Sequence, residues 1–314
     1  MNRNRFVLIT VDTEAQPARA PQDHVKRLIW GEHEQGTAGI REMCMAANDV
    51  GAKLVFFVDA CGMFLHGKPF EDAAFWLKQA GHDVQLHTHS EFLPPSFWEQ
   101  HGFPARPTLL NQYSEKKAAF TIEYFSKYLA NVTGEKTRAF RAGSFRWNIG
   151  TLTAQAKLGI PLSFNNTMRG LVDGVCPYAE PVQHPFVWSN GVVEVPITER
   201  RFPSRGDKVW WGRLAFPSTN RHRDPPWRVL YPYTFGRKIE VLVILVHSWS
   251  LLYWDANGYG VYKDDRRHED FRRLMRKLSR DYDIITTGQF LNLYENGKII
   301  ITDKVDMSRI KMQI

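Results

Sequence analysis

Arg5-Phe6-Val7-Leu8-Ile9-Thr10-Val11-Asp12-Thr13-Glu14 is the stretch whose reading decides the fold. Its apolar, β-branched beginning reads as a strand buried on both faces, the pattern of a parallel sheet covered by helices. Its polar end puts carboxylates where that strand stops. Working outward, the same kind of run recurs at Lys53–Asp59, Asp83–His89, Arg138–Arg141 and Val241–His247, with further strands near Val192–Ile197 and at Tyr282–Thr286. Helical patterns separate them: Ile40-Met43-Ala47-Val50 closed by Gly51, Phe70–Ala80 by Gly81, Glu115–Val132 by Gly134 and Thr151–Leu158 by Gly159. Each glycine stands where a helix C-terminus wants one. A basic helix from about Asp265 to Arg280 and a last one over Gln289–Glu295 follow. Strand and helix alternating many times predict an α/β protein with parallel strands inside and helices outside, and a barrel in preference to an open sheet.

The chain has 314 residues, 43% of them hydrophobic and 24% charged, the balance of a soluble globule able to bury a sizeable core. Disordered and collagen-like classes are excluded, and no apolar run approaches the ~20 residues needed to cross a bilayer. One closed barrel with insertions fills this length, so a single unit is expected over residues 1–314. Its alternation is broken by a proline- and tryptophan-rich insertion at about 177–233, and Glu91–Pro107 reads as another proline-rich loop. Met1-Asn2-Arg3-Asn4-Arg5 runs straight into the first strand without a signal-peptide core, which leads to the expectation of a cytoplasmic protein. Cys44, Cys61 and Cys176 match neither a disulfide framework nor a thiolate zinc motif, and read as packing residues.

The formal net charge of +8 favours anionic partners. Cations concentrate at Arg266-Arg267, Arg272-Arg273, Arg276-Lys277 and Arg280, with Phe271, Leu274, Met275 and Leu278 at helical spacing between them. A solvated helix on the barrel wall is the first reading of this pattern, ahead of a face for anionic membrane on its inner side. Zinc fingers, recognition-helix signatures and RNA-binding aromatic motifs are lacking, so nucleic acid is not an expected partner.

Parallel α/β proteins carry their active sites at the C-terminal ends of strands, so the polar residues ending these runs are the candidates. The first strand ends Asp12-Thr13-Glu14, a later one His87-Thr88-His89-Ser90-Glu91, another Arg141-Ala142-Gly143-Ser144, and the late one His247-Ser248. Residues two apart on a strand share a face, so Asp12 with Glu14, and His87 with His89, can each present two groups to one point. A carboxylate and two imidazole nitrogens suffice for a catalytic divalent metal with a coordination position left for water. Ser144 and Ser248 lack the Gly-x-Ser-x-Gly setting of a serine nucleophile. Among ten tryptophans, Trp147, Trp210, Trp211, Trp249 and Trp254 lie near strand ends or in loops, where flat rings stack on sugar faces, and Trp249 beside His247 is the first choice for a pocket wall.

Taken in order, Thr10-Val11-Asp12, His87-Thr88, Arg141 and Leu245-Val246-His247 resemble the motifs of the polysaccharide deacetylases, the NodB-homology or carbohydrate esterase family 4 group. The resemblance runs from residue 5 to about residue 295. It departs from the family where Thr13, followed by Glu14, stands in place of the second aspartate, where Glu91 stands in place of the second metal histidine with His89 two places before, and where Ala142-Gly143-Ser144 replaces the residues after the arginine. Asp-Thr-Glu and His-x-His-x-Glu are similar to a divergent branch associated with lipopolysaccharide biosynthesis.

The resemblance implies a distorted seven-stranded (β/α) barrel that hydrolyses an N-acyl group, commonly acetyl, from an amino sugar. It implies Asp12 as the base, Arg141 as the cation that holds Asp12 ionised, and His247 as the acid for the leaving amine. Glu14, His87, His89 and Glu91 are then four candidates for about three places around a divalent ion, zinc for preference, with Ser144, Trp147 and Trp249 on the substrate. The expected partner is an amino-sugar glycan precursor, nucleotide- or lipid-linked. Hydrolysis of a cyclic amide, as in allantoinase-like relatives, and a degenerate carbohydrate-binding barrel are the alternatives.

Overall fold

The polar ends of the strands converge because the sheet that carries them is rolled. The structure, a computed structural model, describes residues 5–179, 184–202, 210–217, 240–264 and 267–310. Its central strands in chain order are β1 (Phe6–Thr13), β2 (Val55–Asp59), β3 (Asp83–Thr88), β4 (Ala139–Ala142), β5 (Leu162–Ser163), β6 (Val193–Glu194) and β7 (Val241–His247). They lie side by side in the order β7-β1-β2-β3-β4-β5-β6, every neighbouring pair parallel, within an 11-stranded sheet. Past β6 the chain crosses back toward β7. Ile197 N–H donates to the Asn166 carbonyl at 3.3 Å, Thr198 N–H to the Val243 carbonyl at 3.2 Å, and Val243 N–H to Thr198 Oγ1 at 2.9 Å. The ring therefore closes around Thr198 and not along a full ladder, which makes it a distorted (β/α) barrel.

Side-chain alternation sorts two cores. Val7, Ile9 and Val11 of β1, Phe56 and Val58 of β2, and Leu242, Ile244 and Val246 of β7 face the outer helices. Phe6 and Leu8, Val55 and Phe57, Ala139, and Val241, Val243 and Leu245 fill the barrel. With a period of two, the inward series continues to Thr10, Asp12 and Glu14, to Asp59, to His87 and His89, to Arg141, and to His247. The apolar layer thus ends in a polar one at the C-terminal mouth.

Outside the barrel run α1 (Ile40–Asn48), α2 (Ala60–His66), α3 (Lys68–Gln79), α4 (Pro95–Gln100), α5 (Glu115–Thr133), α6 (Ile149–Leu158), α7 (Met168–Val172), α8 (Arg267–Asp281) and α9 (Thr287–Glu295). Ser114 caps α5 by accepting from Lys117 N–H, and Gly134 ends it in the left-handed region at φ 74°. Three helices escape the sequence reading, α2, α4 and the short α7, which Thr167 caps by accepting from Gly170 N–H. Residues 60–66 contain a mid-helix glycine and follow β2 without a loop, their first turn capped by Asp59. Within the expected proline-rich loop, Pro95 occupies the first turn of α4, where its missing N–H costs no helical bond.

Inside the 177–233 insertion, Phe186–Trp188 pairs antiparallel with β6, Glu199–Phe202 with Trp210–Arg213, and Ala215–Phe216 lies parallel to β7. Residues 180–183, 203–209 and 218–233 of that insertion, Trp227 among them, lie outside the described residues. Helix α8 buries Phe271, Leu274, Met275 and Leu278. Its arginines meet carboxylates of the chain itself: Arg272 with Asp49 at 3.6 Å, Arg273 with Asp270 at 2.9 Å, and Arg276 with Glu269. Cys44, Cys61 and Cys176 are buried free thiols. No helix among the described residues is long and apolar enough to cross a membrane.

Leu8 points into the barrel with no exposed surface. Leu8→Ala is expected to destabilise the protein by about 2–5 kcal/mol through lost burial and a residual cavity, measured as a lower urea midpoint with unchanged slope.

Candidate metal-binding active site

Strand register brings the inward polar residues into contact. Asp12 lies beside His247 across β1 and β7, Asp59 beside His87 across β2 and β3, and His87 beside Arg141 across β3 and β4. Arg141 is wholly buried and spans the barrel. Its Nη1 donates to Asp12 Oδ1 at 2.5 Å and its Nη2 to Thr10 Oγ1 at 2.9 Å, and its guanidinium sits 4.3 Å from the Phe57 ring centroid.

Two imidazoles converge on one carboxylate oxygen. His87 Nε2 lies 3.0 Å and His89 Nε2 3.1 Å from Glu14 Oε1, and all three side chains are buried. Neither ring is free to turn its other nitrogen inward. His87 Nδ1 is 2.8 Å from the Arg141 carbonyl, and His89 Nδ1 is 2.8 Å from Glu91 Oε1. Facing acceptors, both Nδ1 atoms must carry hydrogen, so in neutral rings both Nε2 lone pairs would point at a carboxylate lone pair. Only protons or a cation relieve that arrangement. The electrostatics agree in direction. Burial, the largest influence, opposes charge on each group. Even so, His89 and His87 hold Glu14 well below the usual carboxylate range, Glu14 and Glu91 raise His89 well above the ordinary imidazole value, and Asp12 and Glu14 raise His87.

A divalent ion placed among these atoms does the work of both protons, and one carboxylate oxygen with two imidazole nitrogens suits zinc among others. Glu14, His87 and His89 offer ligand atoms within 4.8 Å of one another, as do Asp12, Glu14 and His247. The residues present therefore fit a divalent metal.

Glu91 does not join that set. It sits in the turn Ser90–Phe92, where its carboxylate holds His89 Nδ1, the usual task of an outer carboxylate behind a metal histidine. Four candidate ligands thus resolve into three and one that orients. Gln16 does the same for Glu14, donating from Nε2 to Oε2 at 2.5 Å.

His247 is stacked on Trp249 with centroids 5.0 Å apart and planes at 19°. Burial holds its pKa below the ordinary value, against the pull of Glu14 and Asp12. Trp249 backs the ring from behind and is only 5% exposed. Trp147 lies elsewhere: it is fully buried, its Nε1 donates to Cys176 Sγ at 2.7 Å, and its ring meets Trp188 at 5.8 Å, so it cannot stack on a substrate. Ser144 is exposed on the turn after β4 with a left-handed φ of 52°. Ser248 Oγ is 3.4 Å from both the amide nitrogen and the carbonyl of Glu14, a fastening of backbone to backbone.

Gln16 was not among the sequence candidates, and two further contributors were missed there. Asp59 is buried at the end of β2, accepting from Cys61 N–H at 3.2 Å and His89 N–H at 2.9 Å, with its pKa raised by burial. The alternation Val55, Phe57, Asp59 is the signal that could have found it. Gly143 lets β4 approach β3: a Cβ there would lie 2.5 Å from the Thr88 carbonyl oxygen and 2.7 Å from His89 Nδ1.

No protein-family model matches the chain, and no curated protein matches it in sequence. Solved structures do match in fold. A Mycobacterium smegmatis protein assigned as a polysaccharide deacetylase superposes with a TM-score of 0.63 at 13% identity, covering 97% of this chain and 94% of that one. The 4-alpha-glucanotransferase of Thermococcus litoralis superposes with a TM-score of 0.60 at 11% identity, over 98% of this chain and 42% of its own. The fold is thus one shared by proteins named for two different reactions on carbohydrates, and the reaction here has to be argued from the site.

Gly143→Ala is expected to weaken zinc binding by roughly 10–100-fold through His89, read by competition with a chromophoric chelator. In metal-free protein the raised histidine pKa values stabilise the fold fully below the ordinary imidazole value near 6.5, and that contribution is lost as pH rises through the folded values. Zinc binding should therefore release protons and strengthen with pH, which calorimetry in buffers of different ionisation enthalpy measures.

Proposed function

We propose that this protein is a metal-dependent hydrolase that removes an N-acyl group, acetyl first among them, from an amino sugar of a glycan or lipopolysaccharide precursor. One observation carries the reading: the Glu14–His87–His89 cluster opens beside the Asp12–Arg141 pair and His247 at the mouth of a barrel whose fold is shared with a structure assigned as a polysaccharide deacetylase.

An amide resists hydrolysis because its carbonyl is a poor electrophile and water a poor nucleophile. A divalent ion held by Glu14, His87 and His89 supplies Lewis acidity to the carbonyl and lowers the pKa of water to about 7. Asp12 takes the water's proton. Arg141, buried with it, pairs with Asp12 and fixes the direction of its carboxylate. His247 gives a proton to the leaving nitrogen, without which the amine cannot depart. Asp12, its neighbour in register, is placed to hand it the proton taken from water. Trp249 fixes the plane of the ring through this transfer.

His247→Ala is expected to lower deacetylation of N-acetylated amino sugars by about 10²–10⁴-fold while leaving zinc content and thermal unfolding unchanged. Turnover at the wild-type rate would remove His247 from the mechanism. Cyclic ureides assayed alongside separate the linear-amide reading from the allantoinase-like one. A zinc-loaded protein that binds sugars and hydrolyses neither substrate would fall to the carbohydrate-binding alternative.

A further inference from the structure

Among the described residues, histidine rings meet in two places. One is the pair His87 and His89, centroids 4.9 Å apart. The other, outside that cluster, is His24 and His66, centroids 5.5 Å apart and planes at 57°. His24 belongs to the segment between β1 and α1, and His66 is the last residue of α2, so folding alone brings them together. Each ring has one nitrogen held by a backbone carbonyl. His24 Nε2 is 3.1 Å from the Ala20 carbonyl, and the Ala15 carbonyl accepts from the His66 ring. His87 is held the same way by the Arg141 carbonyl. A carbonyl behind an imidazole fixes its tautomer and leaves the other nitrogen as a lone pair. Neither of those remaining nitrogens has a hydrogen-bond partner among the described residues, and both rings are half-buried, within reach of an ion from solvent.

The spacing suits a shared ion. A metal 2.0–2.1 Å from two imidazole nitrogens at tetrahedral angles sets the ring centres roughly 5 Å apart. Protons compete poorly for this place: the pKa of His66 is lowered, by burial first and by His24 next, and neutral imidazole is the form that ligates. We propose that His24 and His66 form a second divalent-metal site, for an ion of the imidazole-binding class such as zinc, with water in the remaining positions. The ion pins the segment after β1 to the end of α2. That segment carries Gln16, which holds Glu14, and α2 starts from Asp59, which accepts from His89 N–H, so the clamp joins two supports of the first site. It stands apart from that site, because the helix carries His66 away from Asp59 by roughly 10 Å at 1.5 Å per residue. The assignment owes nothing to the deacylase reading.

Zinc titrated by calorimetry into the metal-free full chain tests it. Wild type should take up two ions. His24→Ala and His66→Ala should each take up one, with the cluster's own event unchanged, and His87→Ala should weaken the cluster's event and leave the other as it is. His66→Phe keeps a ring against His24 and removes the ligand, so it too should take up one ion, which separates ligation from ring packing. His184→Ala, which removes an exposed histidine paired with Asp303, should still take up two. In chelator each variant except His87→Ala should unfold at the wild-type temperature, so that a lost ion is not a lost fold. Zinc should raise the unfolding temperature of His87→Ala protein, and adding His24→Ala should abolish that rise. A single ion in wild type, a second ion retained by His66→Phe, or a second ion lost with His184→Ala would overturn the site. Uptake of the second ion without the thermal rise would overturn the clamp.

Discussion

A guanidinium enclosed by Phe57, Phe145 and Phe164 has to find its counter-charge inside the barrel, and Arg141 finds it in Asp12. Desolvating an unpaired arginine costs several kcal/mol, so the pair must form for this chain to fold as it does. The geometry of that pair also fixes the shape of the sheet. Two strands separate β1 from β4, and at about 4.8 Å per strand a flat sheet would hold the two side chains roughly 14 Å apart. A contact of 2.5 Å across that interval exists only if the sheet rolls until its faces meet. Closure and charge pairing are one constraint. The further bonds from Arg141 to Thr10 Oγ1 and the Phe164 carbonyl spread it over β1, β4 and the segment after β5.

The same enclosure gives the neighbouring groups their character. Glu14, His87 and His89 lie where burial makes any uncompensated charge expensive, and each nitrogen not aimed at Glu14 is already fixed by the Arg141 carbonyl or Glu91. What remains is a set of three donors whose lone pairs converge, a demand for positive charge that the chain itself does not meet with Arg141, already spent on Asp12. His247, on the other side of Asp12, experiences burial without a bonded carboxylate, and its pKa moves the opposite way. Three imidazoles on one rim thus divide into two whose pKa values are raised by bonded carboxylates and one whose pKa is lowered by burial, and the division follows from hydrogen-bond partners and not from residue type.

A tolerance for change at this rim is also visible. Thr13 stands where the related motif has a carboxylate, and its Oγ1 turns back to the Val11 carbonyl. Glu14, one residue on, has the parity of Asp12 and the extra methylene to reach the same point. Thr13 faces the other side of β1, so the position that keeps the inward parity is Glu14, one residue past the end of the strand.

Sequence alone determined the parts that depend on period and strand ends. Near-continuous apolar runs in β1, β2 and β7 required strands covered on both faces, and the polar residues terminating the strands, Asp12, His87, Arg141 and His247, had to fall on one rim because parallel strands all end on the same side. Tertiary structure decided the rest, because it depends on which side chains meet across the lumen. Glu91 and His89 are two residues apart, yet only packing against Glu14 made one a ligand candidate and the other its support. Trp147 has the composition of a sugar contact, and only the approach of Trp188 and Cys176 buried it. Local sequence sets the period, the face and the strand end of each residue; burial and partnership are properties of pairs far apart in the chain, and those exist only once the barrel has closed.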